Sequence, residues 1–212
     1  MITISVIIGI IVAYLLGSAA TSVWIGRMFY NVDIRTKGSG NAGATNTIRV
    51  LGTKPGIIVL LLDAFKGWLA VTLGYLFVPE LYTDIQLNNY MLILALAAVL
   101  GHIFPIFVGF KGGKGVATIV GVIIALFPTL LFLICLGIFI TVLLVSGYVS
   151  LSSIATAVAV PFIVLFVLHR QHDALIIISI MIGVFIPLTH KKNIVRLFHG
   201  TENKFKLGKK KT

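Results

Sequence analysis

Residues 56–78 read GIIVLLLDAFKGWLAVTLGYLFV, an apolar run whose only charged members are Asp63 and Lys66. A transmembrane helix needs about 20 mainly apolar residues, so this run predicts a membrane-spanning helix. Asp63 and Lys66 stand three residues apart, a spacing that lets two helical side chains meet. Ionisable groups at this depth need partners. The pair therefore either orients a nearby site or brings Lys66 into contact with a substrate.

The composition of the whole chain agrees with this prediction. Of its 212 residues, 58% are hydrophobic and 11% are charged, whereas a soluble domain has about 45–50% and 25%. We therefore predict an all-α integral membrane protein, with residues 1–212 forming one polytopic domain and no linker dividing it. No basic side chain precedes the first apolar run, so a cleavable signal is not expected. The single cysteine, Cys135, excludes an intramolecular disulfide.

Apolar segments recur along the chain at the length of a bilayer crossing. Seven transmembrane helices are predicted. Five longer helices are the alternative, with the same sidedness. The apolar stretch 116–168 divides into either three short segments or two long ones, and three are preferred because an odd total puts the basic loops on one side. The seven predicted spans cover residues 4–25, 56–78, 91–109, 116–134, 137–149, 151–168 and 174–189.

The basic residues predict the orientation. With an odd number of crossings, 15 of the 17 Lys and Arg residues fall on one side of the membrane. The exceptions are Lys66, which lies inside a span, and Arg170, which lies on the opposite side. Positive charge marks the cytoplasmic side, so the N-terminus is predicted outside and the basic tail from about residue 190 inside. The lysines of the tail are expected to lie against anionic membrane lipids. A nucleic-acid partner is not expected, because no basic and aromatic module lies outside the apolar segments.

Three polar segments fall on this predicted cytoplasmic side. They read KGSGNAGATNTIR at residues 37–49, FKGGKG at residues 110–115 and HKKNIVR at residues 190–196. Glycine-rich turns expose backbone N–H groups and, with fixed positive charges nearby, suit phosphate oxygens. Neither glycine segment is a nucleotide fingerprint, since no strand precedes the first and Gly115 stands where a P-loop needs a hydroxyl. No cluster has the spacing of metal ligands, so we expect anion binding without a metal or cofactor.

The second segment leads directly into an apolar helix that starts at residue 116. The N-terminus of such a helix points free N–H groups and a positive dipole at an anion. His102, in the preceding span, is either structural or part of the site. The residues expected to bind phosphate here are Lys111, Gly112, Gly113, Lys114 and Gly115.

The first and third segments each place polar side chains at helical spacing. Asn41 is predicted to cap a helix over residues 42–50, which puts Asn46 and Arg49 on one face, with Ser39 and Gly40 at its mouth. In the third segment, three polar residues repeat every three positions at the end of the last span: His190, Asn193 and Arg196.

Together these segments resemble the bacterial acyl-phosphate:glycerol-3-phosphate acyltransferases, the PlsY family. The resemblance covers the whole chain in length, hydropathy and motif order, with motifs over residues 38–49, 101–118 and 190–202. It implies a seven-helix fold in the bacterial cytoplasmic membrane, with the active site facing the cytoplasm. It also implies transfer of an acyl chain from acyl phosphate to the sn-1 hydroxyl of glycerol 3-phosphate. The products would be lysophosphatidic acid and phosphate.

The resemblance further implies roles for individual residues. Carried over by position, it implies a polar site of Ser39, Arg49, Lys114, Ser150, His190 and Asn193, with Gly112 and Gly113 at the phosphoryl group of the acyl phosphate. Five residues of this polar site are predicted to be catalytic: Ser39, Arg49, Lys114, His190 and Asn193. The predicted substrate-binding set includes Ser150 and, in addition, Gly40, Asn41, Asn46, Lys66, His102, Lys111, Gly115 and Arg196.

The chemistry of the donor makes such a site sufficient. An acyl phosphate is a mixed anhydride with a good leaving group, so positioning and electrostatics replace a covalent serine intermediate. We interpret Glu202 as the partner of a nearby basic side chain, which leaves no obvious carboxylate base. The hydroxyl proton goes either to the phosphate of the substrate or to His190, and we favour an orienting role for His190.

The alternative function is a transporter or flippase for a phosphorylated substrate. Such a protein would show inverted repeats and polar residues from both faces, and the sequence shows neither. The sequence sets no oligomeric state, and a monomer is our working expectation.

Overall fold

The computed structural model describes residues 4–78, 82–169 and 173–205. Every regular element within these ranges is helical, which agrees with the predicted all-α class. The helices are α1 Ile4–Ser18, α2 Thr21–Tyr30, α3 Ala44–Leu51, α4 Thr53–Thr72, α5 Asp84–Ile103, α6 Val116–Leu126, α7 Thr129–Ser146, α8 Val149–Phe162, α9 Asp173–Thr189 and α10 Lys191–Phe198. Short 3₁₀ turns lie at Ile34–Thr36, Leu73–Phe77 and Ile106–Val108, and a π-helical turn at Ile163–Val167 extends α8.

Within these ranges, 4 helices are long and apolar enough to cross a membrane, or up to 6 spans if each of two bent helix pairs counts as one. The pairs are α1 with α2, bent by 44°, and α9 with α10, bent by 61°. The apolar α6 is shorter than a full crossing. The predicted count of seven, with five as its alternative, stays a prediction. The end of the predicted basic tail, residues 206–212, lies outside the described residues.

The first predicted span, residues 4–25, is broken in the structure. α1 ends at Ser18 and α2 begins at Thr21. The break frees the carbonyl of Ala19, which accepts a hydrogen bond from Lys66 Nζ at 2.7 Å. Irregular backbone inside a membrane protein persists only where its polar groups find partners, and Lys66 is that partner. Hydropathy alone missed the break, because Ala19 and Ala20 are as apolar as their neighbours.

The predicted spans 116–134 and 137–149 have the wrong boundary. α6 ends at Leu126 and α7 begins at Thr129, with Pro128 as its N-cap. Proline has no N–H and fits the start of a helix far better than its interior. The turn therefore lies at Pro128, about two turns of helix before the predicted boundary.

Two other helix boundaries also differ from prediction. α3 begins at Ala44 with Gly43 as N-cap, and Asn41 supplies no cap to it. α5 begins at Asp84, well before the predicted residue 91, because Thr83 and Gln86 form a reciprocal capping box.

The described residues pack as two compact units, one up to Ala125 and the other within residues 126–205. In the first unit, small residues bring helices close together, as between Gly17 in α1 and the Ala98 backbone in α5. In the second unit, α8 packs against both α7 and α9. Large apolar side chains stay exposed along the spans, including Leu133 and Leu144 of α7, as expected of helices that face lipid.

Candidate functional site

The first glycine motif is a loop organised by the buried Asn46. The Asn46 Nδ2 group donates to the carbonyl oxygens of Ile34 at 2.9 Å and Lys37 at 3.1 Å, and Oδ1 accepts from the Ser39 N–H at 2.8 Å. Gly38 has a φ of +61°, and a Cβ there would overlap Asn46 Oδ1, so the loop requires glycine. Both amide hydrogens of Asn46 are thus used to hold the loop, and its predicted substrate contact stays untested.

Other predicted residues of this motif lie at the surface of the first unit. Ser39 and Gly40 are exposed, and so is Arg49 on α3, while Asn41 is partly buried. Asn46 and Arg49, which were predicted to share one face of this helix, differ in burial: Asn46 is buried beneath the loop, whereas Arg49 is exposed.

Asp33, which was not among the predicted site residues, holds an arginine that connects the region of the first glycine segment to that of the second. Asp33 binds Arg35 Nε at 3.0 Å, Arg35 Nη2 at 2.8 Å and Arg27 Nη2 at 2.8 Å. Arg35 Nη1 donates to the carbonyls of Val108 at 2.6 Å and Lys111 at 3.4 Å. The hydrogen bonds from Arg35 hold the pKa of the Asp33 carboxyl well below 3.8. Asp33 and Arg35 therefore both stay charged. Their close spacing in the sequence was the signal from which this ion pair could have been predicted.

The second glycine segment forms a tight turn after α5. The Gly112 N–H donates to the Ile103 carbonyl and the Gly113 N–H to the His102 carbonyl, both at 3.1 Å. These carbonyls lie in the last turn of α5, where helical donors run out. We expected these two N–H groups to face phosphate, and the structure corrects this because both are engaged by α5. Glycine supplies space instead, since a Cβ on Gly113 would overlap the His102 ring.

The α6 N-terminus follows this turn, and α6 begins at Val116 as predicted. The first intrahelical bond joins the Ile119 N–H to the Gly115 carbonyl at 2.8 Å. The N–H groups before Ile119 therefore have no helical acceptor and carry the positive end of the dipole. Lys111 and Lys114 flank the turn in sequence. The free backbone donors of this turn thus lie at the start of α6, a few residues beyond the two glycines that we expected to donate, and anion binding there stays a prediction.

The predicted pair in the second span is confirmed. Lys66 Nζ lies 2.7 Å from Asp63 Oδ1, with 7% and 2% of the two side chains exposed. Because Lys66 Nζ also donates to the Ala19 carbonyl, the structure supports the structural alternative for this lysine. His102 Nδ1 lies 3.7 Å from the same oxygen of Asp63. Substrate contact by Lys66 or His102 remains a prediction.

In the second unit, Glu202 binds three of the predicted site residues. Its Oε1 accepts from Ser150 Oγ at 2.9 Å and Asn193 Nδ2 at 2.7 Å, and its Oε2 accepts from Arg196 Nε at 2.7 Å. Burial opposes the charged carboxylate, but these hydrogen bonds outweigh it and keep the pKa of Glu202 below 4.5. The interpretation of Glu202 as the partner of a basic side chain is confirmed, with Ser150 and Asn193 as additional ligands.

His190 occupies the boundary between α9 and α10 and is 3% exposed. Its Nδ1 lies 2.8 Å from the Ile186 carbonyl oxygen. A carbonyl only accepts, so Nδ1 carries a proton and, in the neutral ring, Nε2 is the acceptor. As predicted, the third motif forms a helix at the end of the last span, namely α10, which is bent by 61° from α9. Pro187 precedes the bend and deprives α9 of one backbone donor.

No three His, Cys, Asp or Glu side chains come together as possible metal ligands in the described part of the chain. The expectation that the reaction needs neither metal nor cofactor stays a prediction.

The fold and these clusters define a helical membrane protein whose polar motifs are rich in cations. Comparison with known proteins narrows this class, because the family model described as Glycerol-3-phosphate acyltransferase matches residues 7–200. A relative named glycerol-3-phosphate acyltransferase from Enterococcus faecalis is 45% identical, over 96% of this chain and 93% of its own. Another with the same name, from Fusobacterium nucleatum subsp. nucleatum, is 46% identical over 93% and 96%.

Solved structures agree with these matches. PlsY (YgiH), described as an integral membrane glycerol 3-phosphate acyltransferase, matches in its glycerol 3-phosphate form with a TM-score of 0.84 and 35% identity, covering 95% of this chain and 96% of that one. Its lysophosphatidic acid form matches with a TM-score of 0.80 and 34% identity, covering 96% of each chain. The chain belongs to the glycerol-3-phosphate acyltransferase family. The predictions of the family, of the acyltransferase class and of an integral membrane protein are confirmed.

Proposed function

We propose that the protein transfers a fatty acyl group from an acyl phosphate to the sn-1 hydroxyl of glycerol 3-phosphate, giving lysophosphatidic acid and phosphate. The sn-1 position is proposed from the resemblance of the motifs. One observation favours the acyl-phosphate donor: each described carboxylate in or beside the motifs is already held by a cation. Asp33 is bound by Arg27 and Arg35, Asp63 by Lys66, and Glu202 by Arg196.

A site of this kind offers positive charge and backbone donors rather than a carboxylate base. It suits two substrates that both carry phosphate, one of which is already activated as a mixed anhydride. Holding the two substrates together lowers the barrier through proximity, and fixed cations stabilise the charge that develops on the departing phosphate. A carboxylate nucleophile or base is not needed for this chemistry.

The proposed reaction is a single acyl transfer. The glycerol hydroxyl oxygen attacks the carbonyl carbon, the bond between that carbon and the bridging oxygen breaks, and its electron pair leaves with phosphate. The hydroxyl proton passes to the phosphate of the substrate. His190 Nε2, the acceptor nitrogen of the neutral ring, orients the hydroxyl through a hydrogen bond.

The remaining predicted residues take the roles that their chemistry suits. The guanidinium of Arg49 binds phosphate bidentately, as lysine cannot, and Lys111 and Lys114 supply point charges beside the start of α6. Ser39, Gly40 and Asn41 contribute hydroxyl, backbone and amide groups from the first loop. Glu202 stabilises the third motif by binding Asn193, Ser150 and Arg196.

We further propose that the protein lies in the bacterial cytoplasmic membrane with its active site facing the cytoplasm, and that it acts as a monomer. The distribution of basic residues supports this orientation. In a Cys135→Ser background, Thr3→Cys and Gly208→Cys are expected to react with an impermeant thiol reagent from opposite sides of the membrane. Labelling of both from one side would contradict the predicted odd number of crossings.

The donor is tested with purified protein in detergent. Radiolabelled glycerol 3-phosphate is incubated with palmitoyl phosphate, palmitoyl-CoA or palmitoyl-acyl carrier protein, and lysophosphatidic acid is measured. The proposal expects product from palmitoyl phosphate alone. Product from either thioester at an equal or greater rate would overturn the proposed donor.

A further inference from the structure

Asp63 joins three helices of the first unit through one carboxylate oxygen. Its Oδ1 accepts a hydrogen bond from Thr21 Oγ1, at the start of α2, at 2.7 Å. The same oxygen lies 2.7 Å from Lys66 Nζ in α4 and 3.7 Å from His102 Nδ1 near the end of α5. The proposed reaction uses none of these side chains. A buried ion pair gives little net stability once desolvation is counted, so its presence calls for another explanation.

His102 connects this buried cluster to the glycine turn. Because its Nδ1 faces Asp63, the other ring nitrogen, Nε2, lies against Gly113, where a Cβ would overlap it. The His102 carbonyl also accepts the Gly113 N–H at 3.1 Å. His102 therefore fixes Gly113 through both its ring and its backbone.

The first motif meets the turn at the same glycine. A Cβ on Gly113 would lie 2.7 Å from the Ala42 carbonyl oxygen, so the two glycine segments touch at this residue. Lys114 follows Gly113 directly, and α6 begins two residues later. The position of the His102 ring thus sets where both phosphate-binding elements of the turn lie.

We propose that Asp63, held in place by Thr21 and Lys66, is a positioning residue that fixes the His102 ring against Gly113 and so places Lys114 and the start of α6 for the acyl phosphate. The proposal rests on the proposed function for the identity of that substrate. A displacement of about 1 Å at a reacting site can cost on the order of 10²-fold in rate. A loose His102 ring therefore has a measurable consequence through its effect on Gly113.

Thr21 is the sharpest probe, because it contacts Asp63 but belongs to neither glycine segment. Thr21→Val keeps the side-chain shape and removes the hydroxyl donor, while Thr21→Ser keeps the donor. A hydrogen bond to a charged group contributes roughly 1.5–3 kcal/mol, which corresponds to about tenfold or more in affinity. We expect Thr21→Val to raise the KM for acyl phosphate by about that factor, with the KM for glycerol 3-phosphate little changed. Thr21→Ser should restore the wild-type value.

A purely structural role for Asp63 would give a different result. It would lower the fraction of folded enzyme, and so kcat, while both KM values stayed the same. Thr156→Val is the matched control, because the Thr156 hydroxyl has no hydrogen-bond partner within the described residues. His102→Asn, which keeps a planar polar group beside Asp63 although His102 Nδ1 makes no hydrogen bond within the described residues, should retain more acyl phosphate affinity than His102→Ala.

Hydrogen exchange in detergent separates this inference from the proposed function, because it requires no turnover. The Gly112 and Gly113 amides are bonded to α5 carbonyls, so both should exchange slowly in the wild type. Thr21→Val and Asp63→Asn should speed exchange in peptides covering residues 110–116 and leave peptides covering residues 190–200 unchanged. If peptides covering residues 110–116 exchange faster in these variants but the wild type does not use acyl phosphate, the positioning role is supported and the proposed function is refuted. If the wild type uses acyl phosphate but Thr21→Val exchanges no faster than the wild type, the positioning role is overturned and the proposed function stands.

Discussion

Asn193 Nδ2 donates to Glu202 Oε1 at 2.7 Å, so an amide predicted to be catalytic holds the only carboxylate of the third motif. Ser150 donates to the same oxygen and Arg196 to the other. Glu202 is therefore a fixed point that joins α8, α10 and the segment after α10. A carboxylate that accepts three hydrogen bonds is a poor base, because those bonds stabilise its charged form.

Glu202→Gln is expected to lower the free energy of unfolding by about 1–3 kcal/mol at pH 7, because the charge-assisted bonds become neutral ones. The pKa of Glu202 in the folded protein lies below 4.5. Its charged form therefore stabilises the fold fully above pH 4.5, and this contribution is lost as the pH falls through the lowered pKa. Thermal midpoints of both proteins across this range measure the effect. Their difference should shrink in acid, and a constant difference would show that the charge of Glu202 does not matter.

Arg49→Lys and Lys114→Ala should each reduce kcat/KM by on the order of 10²-fold, the usual loss when one donor to developing charge is removed. Lysine keeps the charge at position 49 but not the planar pair of donors. Lys54→Ala is the control, since Lys54 is an exposed cation of the same unit that lies outside the predicted site. Near-normal rates in both site variants would remove the phosphate clamp from the mechanism.

Gly113→Ala should raise the KM for acyl phosphate more than that for glycerol 3-phosphate. The added methyl overlaps the His102 ring, and overpacking of this kind costs about 1–3 kcal/mol, or roughly tenfold or more in affinity. Gly137→Ala is the matched control, because nothing lies within 4 Å of a Cβ at that helical position. Steady-state kinetics with each substrate varied in turn measure both KM values. Equal KM values for acyl phosphate in Gly113→Ala and Gly137→Ala would refute the prediction.

His190→Gln should keep appreciable activity and mainly raise the KM for glycerol 3-phosphate. Glutamine still offers an acceptor to the hydroxyl, although it loses the bond from Nδ1 to the Ile186 carbonyl. His190→Ala should bind glycerol 3-phosphate more weakly still. A folded His190→Gln with unchanged binding and a rate lowered by roughly 10²–10⁴-fold would make His190 the general base instead.

The sequence alone predicted the features that depend on local composition and spacing. The apolar runs gave the helical membrane class, the three-residue spacing gave the contact between Asp63 and Lys66, and the glycine turn gave the start of α6 at Val116. These features are local because each is set by residues within a few turns of helix.

Features that depend on distant partners could not be predicted in this way. The break after Ser18 is stabilised by Lys66, a residue 47 positions away from Ala19 in the chain. The use of the Gly112 and Gly113 amides by α5 follows from the direction of the turn, which the letters FKGGKG do not show. The link from Arg35 to Val108 spans 73 residues. Two boundaries could have been predicted from local residues: the break at Pro128 and the start of α5 at the capping box of Thr83 and Gln86.

The central claim is acyl transfer from acyl phosphate to glycerol 3-phosphate, and the fate of the bridging oxygen tests it most directly. Purified protein is given glycerol 3-phosphate and palmitoyl phosphate labelled with ¹⁸O at the bridging position, and the products are analysed by mass spectrometry. Attack at the carbonyl carbon predicts unlabelled lysophosphatidic acid and an equal amount of ¹⁸O-labelled phosphate. Label recovered in palmitate, or no lysophosphatidic acid at all, would contradict the account.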